Sequence, residues 1–176
     1  MNGNTLEGFQ TQIADVRQRA KEQGREGKVK FALNAFVICR DTEEEALRVL
    51  QEIQGKADAE AVEGFRQQVQ NAGASTANKA GMWANSKFED LVQYNDGFKT
   101  KLIGTKDQIA NRILLLKSLG ADIILTAFLH YDEEIEQFGK EVLPIVRELE
   151  KQGRGKDEAF EVALTGDVYR EKKPAN

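Results

Sequence analysis

Two short apolar runs constrain the fold of this chain more than any other feature. Residues 30–39 (KFALNAFVIC) and 122–129 (DIILTAFL) are apolar nearly throughout, and a helix-like pattern follows each of them. Short runs without polar alternation are typical of strands that are buried on both faces. Such strands belong to parallel sheets covered by helices, so the chain is predicted to adopt an α/β fold.

Helical patterns surround these two runs and set the order of the elements. Thr42 with Glu45, and Thr105 with Gln108, fit capping boxes at two helix starts. A short apolar stretch just before the second box predicts a weak third strand. The resulting order is helix, strand, helix, helix, long connection, strand, helix, strand, helix. The last helix is predicted to kink at Pro144.

Composition narrows the classes of function. The 176 residues carry 25 Lys and Arg against 29 Asp and Glu, which argues against a nucleic-acid surface. One Cys and one His argue against a disulfide framework and against a zinc site built from these residue types. No apolar run approaches the roughly 20 residues that span a bilayer. A cytoplasmic protein without a membrane partner is therefore expected.

Candidate chemistry lies at the carboxyl ends of the predicted strands, where parallel α/β folds bind ligands. His130 follows the second run and could act as an acid, a base or a hydrogen-bond donor. The alternative is that it only caps or lines the next helix. Asn34 is an amide among apolar residues, and either a ligand contact or a satisfied core amide explains it.

Other polar residues have simpler explanations. Cys39 lies in an apolar strand without an activating neighbour, so a small buried side chain is favoured over a nucleophile. Lys99 and Lys101 lie beside Gly97, at the end of the long connection of residues 74–99 and just after it. They could bind an anion, although loop cations are usually only solvated. The acidic triplets 43–45 and 132–134 are explained by the helix dipole at helix starts. The chain carries no Walker loop, dinucleotide fingerprint, nucleophile elbow or metal-ligand cluster.

Three longer segments resemble the bacterial luciferase-like flavin monooxygenases. The first, residues 31–46 (FALNAFVICRDTEEEA), is similar to the sixth strand and following helix of that family. Residues 102–112 (LIGTKDQIANR) are similar to its Gly-Thr-Pro-Glu-Gln segment, with Lys106 in place of the proline. Residues 119–130 and 138–144 resemble its last strand and helix. Within the family, the dimethyl sulfone monooxygenases look most similar, on the evidence of residues 34–36, 81–84 and 89–97. The alternative members are the alkanesulfonate monooxygenases.

The resemblance implies a TIM (β/α)8 barrel enzyme. Such an enzyme would use reduced FMN (FMNH2) supplied by a separate NAD(P)H-dependent FMN reductase, with O2 as co-substrate. It would cleave the carbon–sulfur bond of a small organosulfur substrate; for dimethyl sulfone, the products would be methanesulfinate and formaldehyde. A homo-oligomer is expected.

The resemblance also assigns site residues. His130 matches the family's last-strand histidine, and Phe128 stands where the sulfonate enzymes have a tyrosine. Asn34 and Phe36 stand where those enzymes have an Arg-x-His pattern, which implies a neutral sulfone rather than an anionic sulfonate. His130 and Asn34 are thus the catalytic candidates, with Phe36 and Phe128 as substrate or flavin contacts. Either Lys99 or Lys101 would supply the basic residue of the family's mobile loop.

The length has a further implication within this family. A (β/α)8 barrel typically needs about 250 residues, and the chain has 176. Residues 1–150 are therefore expected to form the carboxyl-terminal half of a barrel with a long loop insertion, and residues 151–176 a polar, frayed tail. The glycine-rich loop that holds the FMN phosphate has no counterpart here, so the chain alone is expected to be inactive. The alternative is a non-catalytic half-barrel that self-associates or pairs with a separate amino-terminal half.

Overall fold

The computed structural model describes residues 6–74, 83 and 86–154. Within them, no helix is long and apolar enough to cross a membrane. The strands are β1 (Ala32–Cys39), β2 (Leu102–Gly104) and β3 (Ile123–Ala127). The helices are α1 (Leu6–Glu22), α2 (Glu43–Gly55), α3 (Ala59–Ala74), α4 (Phe88–Leu91), α5 (Lys106–Ser118), α6 (Tyr131–Gln137) and α7 (Leu143–Lys151). A 3-10 turn (Gly97–Thr100) and a π-helical turn (Phe138–Val142) complete the list.

The three strands form one parallel sheet in the order β2-β1-β3. Val37 pairs with Leu102 on one side of β1, and Asn34 pairs with Leu125 on the other. The predicted α/β fold with a parallel sheet is thus confirmed. The pattern of apolar runs did not indicate that β3 lies beside β1 rather than beside β2, because strand order depends on how the helices pack.

Strand β1 is buried on both of its faces, as its apolar run predicted. The same prediction is wrong for β3, which lies at the edge of the described sheet and whose residues are exposed or half-buried. One face, with Leu33, Ala35 and Val37, packs with α1, α5 and α7. The other face, with Phe36 and Ile38, packs with α2, α3, α4 and the 3-10 turn. The sheet is therefore a middle layer between two groups of helices, and residues at the carboxyl end of β1 emerge from the centre of the structure.

The predicted capping residues act at both helix starts. Thr105 and Gln108 form the complete capping box of α5, with each side chain bonded to the other residue's backbone N–H. At α2 only half of the predicted box forms: the Thr42 hydroxyl accepts a hydrogen bond from the backbone N–H of Glu45. The Glu45 carboxylate lies beside Arg48 instead, at 3.7 Å. The capping bonds satisfy backbone donors that the first helical turn leaves without partners.

The last helix departs from regular geometry before Pro144 rather than at it. Proline cannot donate a backbone hydrogen bond and its ring crowds the carbonyl four residues earlier. The chain responds with the π-helical turn, in which Leu143 N–H bonds to the carbonyl of Phe138, five residues back. Pro144 then lies in the first turn of α7, where its missing donor costs little.

Some expectations fall at or beyond the limits of the described residues. Helix α3 reaches Ala74, further than its sequence pattern indicated, and α4 and the 3-10 turn lie within the long connection. The expected frayed tail lies outside the described residues from position 155 onward, as does most of the segment 81–84.

Gly104 provides a test of the β2–α5 junction. Its φ is +144°, and a Cβ there would lie 2.4 Å from the Gln108 Oε1 that caps Thr105. We expect Gly104→Ala to lower the free energy of unfolding by about 1–3 kcal/mol, measured by urea denaturation. The control, Gly64→Ala within α3, meets no atom within 4 Å and should raise it by about 0.5–1 kcal/mol. Equal effects of the two substitutions would contradict this interpretation of Gly104.

Candidate functional site

The carboxyl ends of the three strands meet at one edge of the sheet. There, β1 leads into Arg40, β2 into Thr105 and β3 into the turn that contains His130. A cleft of about 290 Å³ opens at this edge, which we call the mouth cleft. Its lining residues are Cys39, Arg40, Asp41, Glu45, His130, Glu133, Glu134 and Gln137. A second cleft, of about 420 Å³, lies beside α5 and α7 and contains none of the predicted site residues.

His130 is the residue that precedes α6, and its side chain is exposed at the mouth cleft. The imidazole makes no capping hydrogen bond to the helix. Its backbone N–H donates instead to Glu134 Oε2, at 3.1 Å. The His130 side chain therefore does not cap the helix, and His130 is one of the residues that line the mouth cleft.

The mouth cleft is predominantly acidic. Four carboxylates (Asp41, Glu45, Glu133 and Glu134) line it, against the single guanidinium of Arg40. That guanidinium already forms an ion pair, because its Nη2 lies 2.9 Å from Glu134 Oε1. An anionic ligand would therefore meet repulsion here, whereas a neutral or cationic ligand would not.

Cys39 lies at the floor of the cleft but is only 6% exposed. Burial, followed by the nearby Glu141 carboxylate, raises the pKa of its thiol to about 11. The thiolate that a nucleophile requires is thus scarce at neutral pH. The structure agrees with the interpretation of Cys39 as a small buried side chain.

Asn34 belongs to a second cluster, further inside the sheet. Its Nδ2 donates to Asn95 Oδ1 at 3.3 Å, and the same oxygen accepts the Gly97 N–H at 2.8 Å. A Cβ on Gly97 would lie 3.0 Å from the backbone nitrogen of Phe36, so the connection passes close to β1. Asn95 therefore attaches the long connection to the central strand. The sequence pattern did not single out Asn95, since nothing local distinguishes it from other loop amides.

The two other aromatic candidates are packed side chains. Phe36 is 5% exposed and its ring centroid lies 5.0 Å from that of Phe98 in the 3-10 turn. Phe128 is 6% exposed and packs edge-on against Tyr131 and Phe138, in the cluster on the α1, α5 and α7 side. Phe36 thus borders the Asn34 cluster, while Phe128 lies in the other core.

The two lysine candidates flank the end of the 3-10 turn. The Lys99 side chain is 18% exposed, and its ammonium lies 3.9 Å from Asp90 Oδ2. Lys101 has a left-handed backbone conformation (φ +57°) and ends the turn just before β2. Both therefore lie on the connection that Asn95 attaches to β1.

The structure places the predicted residues in two groups rather than one. Asn34 is not among the residues that line the mouth cleft. It pairs with Leu125, five residues before His130, which corresponds to at most about 17 Å of extended chain. Arg40 and Glu134 were not selected from the sequence as site residues, and Glu134 was explained by its place at a helix start. Only the pairing of β1 with β3 brings these two side chains together.

Within the described ranges, no cluster of three metal-ligating side chains occurs.

Comparisons with known proteins identify relatives of this chain. The profile of a family described as luciferase-like monooxygenase matches residues 1–123. An FMNH2-dependent dimethylsulfone monooxygenase of Pseudomonas putida is 59% identical over 153 residues, which is 87% of this chain and 42% of that protein. Its counterpart in Pseudomonas fluorescens is 55% identical over 85% of this chain and 40% of that protein. A sulfoquinovose monooxygenase of Novosphingobium aromaticivorans is 23% identical, over 80% of this chain and 41% of that protein.

A solved structure has the same fold. A riboflavin lyase, crystallised with modified FMN and riboflavin, superposes with a TM-score of 0.65 at 21% identity. The match covers 96% of this chain and 42% of the lyase chain. This chain thus spans about two-fifths of the length of the relatives it matches.

The raised pKa of Cys39 gives a reactivity test. We expect the folded chain at pH 8 to react with a disulfide reagent such as Ellman's reagent about 100-fold more slowly than the urea-unfolded chain. The physical reason is that burial keeps the thiol protonated up to a pKa of about 11. The rate of thionitrobenzoate release measures it. A folded chain that reacts as fast as the unfolded one would contradict the assignment.

Proposed function

Because this chain belongs to the luciferase-like monooxygenase family, we propose that it provides the carboxyl-terminal strand–helix units of an FMNH2-dependent monooxygenase that cleaves dimethyl sulfone. The observation that carries the proposal is the identity of 59% and 55% to two dimethylsulfone monooxygenases over most of this chain. The chain matches the carboxyl-terminal portion of those proteins. The activity of a whole enzyme is proposed on that basis.

The described residues fit one part of a reduced flavin. Beside Asn34, the exposed side of β3 presents apolar side chains, of which Leu125 is 58% exposed. A flat ring with an apolar face and a polar edge suits an apolar strand that lies next to an amide. No glycine-rich phosphate loop follows a strand in the described ranges; the three strand ends lead to Arg40, Thr105 and the His130 turn. The ring is therefore the part that these residues would hold, together with Lys99 or Lys101 as a cation.

The reaction balances with one molecule each of dimethyl sulfone, O2 and FMNH2. The products are methanesulfinate, a proton, formaldehyde, water and FMN; one carbon–sulfur bond breaks and the flavin supplies two electrons and two protons. Bound reduced flavin would supply the activation of O2. In this proposal His130 exchanges a proton at the mouth cleft, and Asn34 donates a hydrogen bond to a neutral sulfone oxygen. The acidic lining of the cleft supports a neutral substrate over an alkanesulfonate.

The proposed cofactor also implies a partner protein that reduces it. Reduced FMN would be supplied by a separate NAD(P)H-dependent FMN reductase, because the two Pseudomonas relatives are named as FMNH2-dependent enzymes. A homo-oligomer and a cytoplasmic location remain predictions of the sequence.

The first test is an assay of the 176-residue chain with and without the rest of the enzyme. Purified chain, FMN, NADH, a flavin reductase and dimethyl sulfone are combined, and formaldehyde is measured. We expect little turnover by the chain alone, since its described residues lack a phosphate loop. Activity should appear when the amino-terminal portion of the Pseudomonas putida relative is co-expressed with it.

Methanesulfonate serves as the matched anionic control in the same assay. We expect formaldehyde from dimethyl sulfone and not from methanesulfonate. Robust turnover by the chain alone would overturn the proposed inactivity, and a preference for methanesulfonate would favour an alkanesulfonate monooxygenase.

The exposed face of β3 favours a second candidate function, that of a half-barrel that acts by pairing with a separate amino-terminal half. Ile123, Leu125 and Leu129 are 47%, 58% and 41% exposed. Within the described part of the chain, β3 pairs only with β1, so its other edge is open. In folded proteins an open strand edge and an exposed apolar face are both normally covered. The two dimethylsulfone monooxygenases are more than twice as long as the matched part, so their remaining strands are the occupant we propose.

Substitution on this face tests the pairing. Leu125→Lys should abolish co-purification of the chain with the amino-terminal portion of the Pseudomonas putida relative, since a buried lysine would be desolvated at the contact. Val16→Lys on α1, where the valine is 36% exposed, is the control and should leave co-purification intact. Light scattering of the chain alone distinguishes the competing occupant: a dimer that Leu125→Lys dissociates would mean that a second copy covers this face instead.

A further inference from the structure

Arg40 connects the ends of all three strands. Its backbone N–H donates to the Gly104 carbonyl at the end of β2, at 3.1 Å. Its Nη1 donates to the Cys39 carbonyl at the end of β1, at 2.6 Å. Its Nη2 donates to Glu134 Oε1 on α6, at 2.9 Å. One residue thus links β1, β2 and the helix that follows β3.

Glu134 uses its second carboxylate oxygen on the turn between β3 and α6. Oε2 accepts the backbone N–H of Leu129 at 2.9 Å and that of His130 at 3.1 Å. The Glu134 side chain is 10% exposed and that of Arg40 25%, so water screens this pair less than the other ion pairs of the described chain, which are mostly exposed. Both oxygens of Glu134 are therefore engaged, one on β1 and one on the turn that carries His130.

We propose that Arg40 and Glu134 are positioning residues for His130. They fix the backbone of the His130 turn relative to the central strand, and so fix where the imidazole lies in the mouth cleft. The imidazole makes no capping bond of its own that would hold it. The inference rests on the proposed function, because the position of His130 matters to the reaction only if His130 takes part in it.

A simple helix cap predicts a different behaviour. If Glu134 only capped α6, its bonds to Leu129 and His130 would persist without Arg40. If the pair positions the turn, removal of Arg40 loosens the same two amides, because the carboxylate then loses its attachment to β1. Substitutions at Arg40 therefore separate the two explanations.

The test is nuclear magnetic resonance on the full 176-residue chain, in which His130 is the only histidine and gives one set of imidazole signals. For Arg40→Ala and Glu134→Gln we expect the Leu129 and His130 amides to exchange with solvent about tenfold faster than in the wild type. The imidazole signals should shift as well. Arg40→Lys, which keeps the charge, should restore part of the protection.

Lys117→Ala is the matched control, because it breaks an ion pair between α5 and α7 away from the mouth cleft and should change neither readout. Wild-type exchange and imidazole signals in a folded Arg40→Ala chain would overturn the proposal in favour of a helix cap. If Arg40→Ala does not fold, Arg40→Met, which keeps a long aliphatic side chain without the guanidinium, decides in the same way.

The proposed function is tested separately from this inference. Co-expressed with the amino-terminal portion, His130→Ala should lose formaldehyde release, while Glu134→Gln should lower kcat more than it raises KM for dimethyl sulfone. Full activity of His130→Ala would overturn the role of His130 and leave the exchange result standing. Unchanged amide exchange in both Arg40→Ala and Glu134→Gln would overturn the positioning role, whatever the activity of these variants.

Discussion

Burial of β1 on both faces is the constraint on which the rest of this structure depends. A strand with apolar residues at successive positions can be stable only between two covering layers. Helices α1, α5 and α7 cover one face, and α2, α3, α4 and the 3-10 turn cover the other. This central position brings the carboxyl end of β1 between those of its two neighbours. Arg40, the first residue after the strand, can therefore reach both sides.

The mouth cleft gains its chemical character from that position. Carboxylates that the helix dipoles favour at the starts of α2 and α6 converge on it, and Arg40 neutralises only one of them. The helix-start explanation of these acids is correct for each helix but incomplete, since Glu134 also binds across to β1. The same acidic lining would repel an anionic ligand, whereas a neutral ligand would not meet that repulsion.

The open side of β3 connects the fold to the family. In the riboflavin lyase, a unit that superposes on this chain occupies about two-fifths of a longer polypeptide. When such a unit stands alone, the apolar strand face that the rest of the polypeptide would cover is exposed, as it is at Ile123 and Leu125. The flavin ring and the remaining strands are thus proposed for the same side of the sheet, which explains why one half alone is expected to be inactive.

The amino-acid sequence by itself determined the local structure. It contained both long strands, although only β1 is buried on both faces, and it contained the Thr105 capping box, the place of Pro144 in the last helix and the family. Each of these depends on neighbouring residues or on a continuous motif. The tertiary structure alone decided that β3 lies beside β1, that Asn95 attaches the long connection to Asn34, and that Arg40 meets Glu134. These contacts join residues that are separated by 61 to 94 positions in the sequence. No local propensity specifies them, since they form only when the helices on both faces of β1 pack.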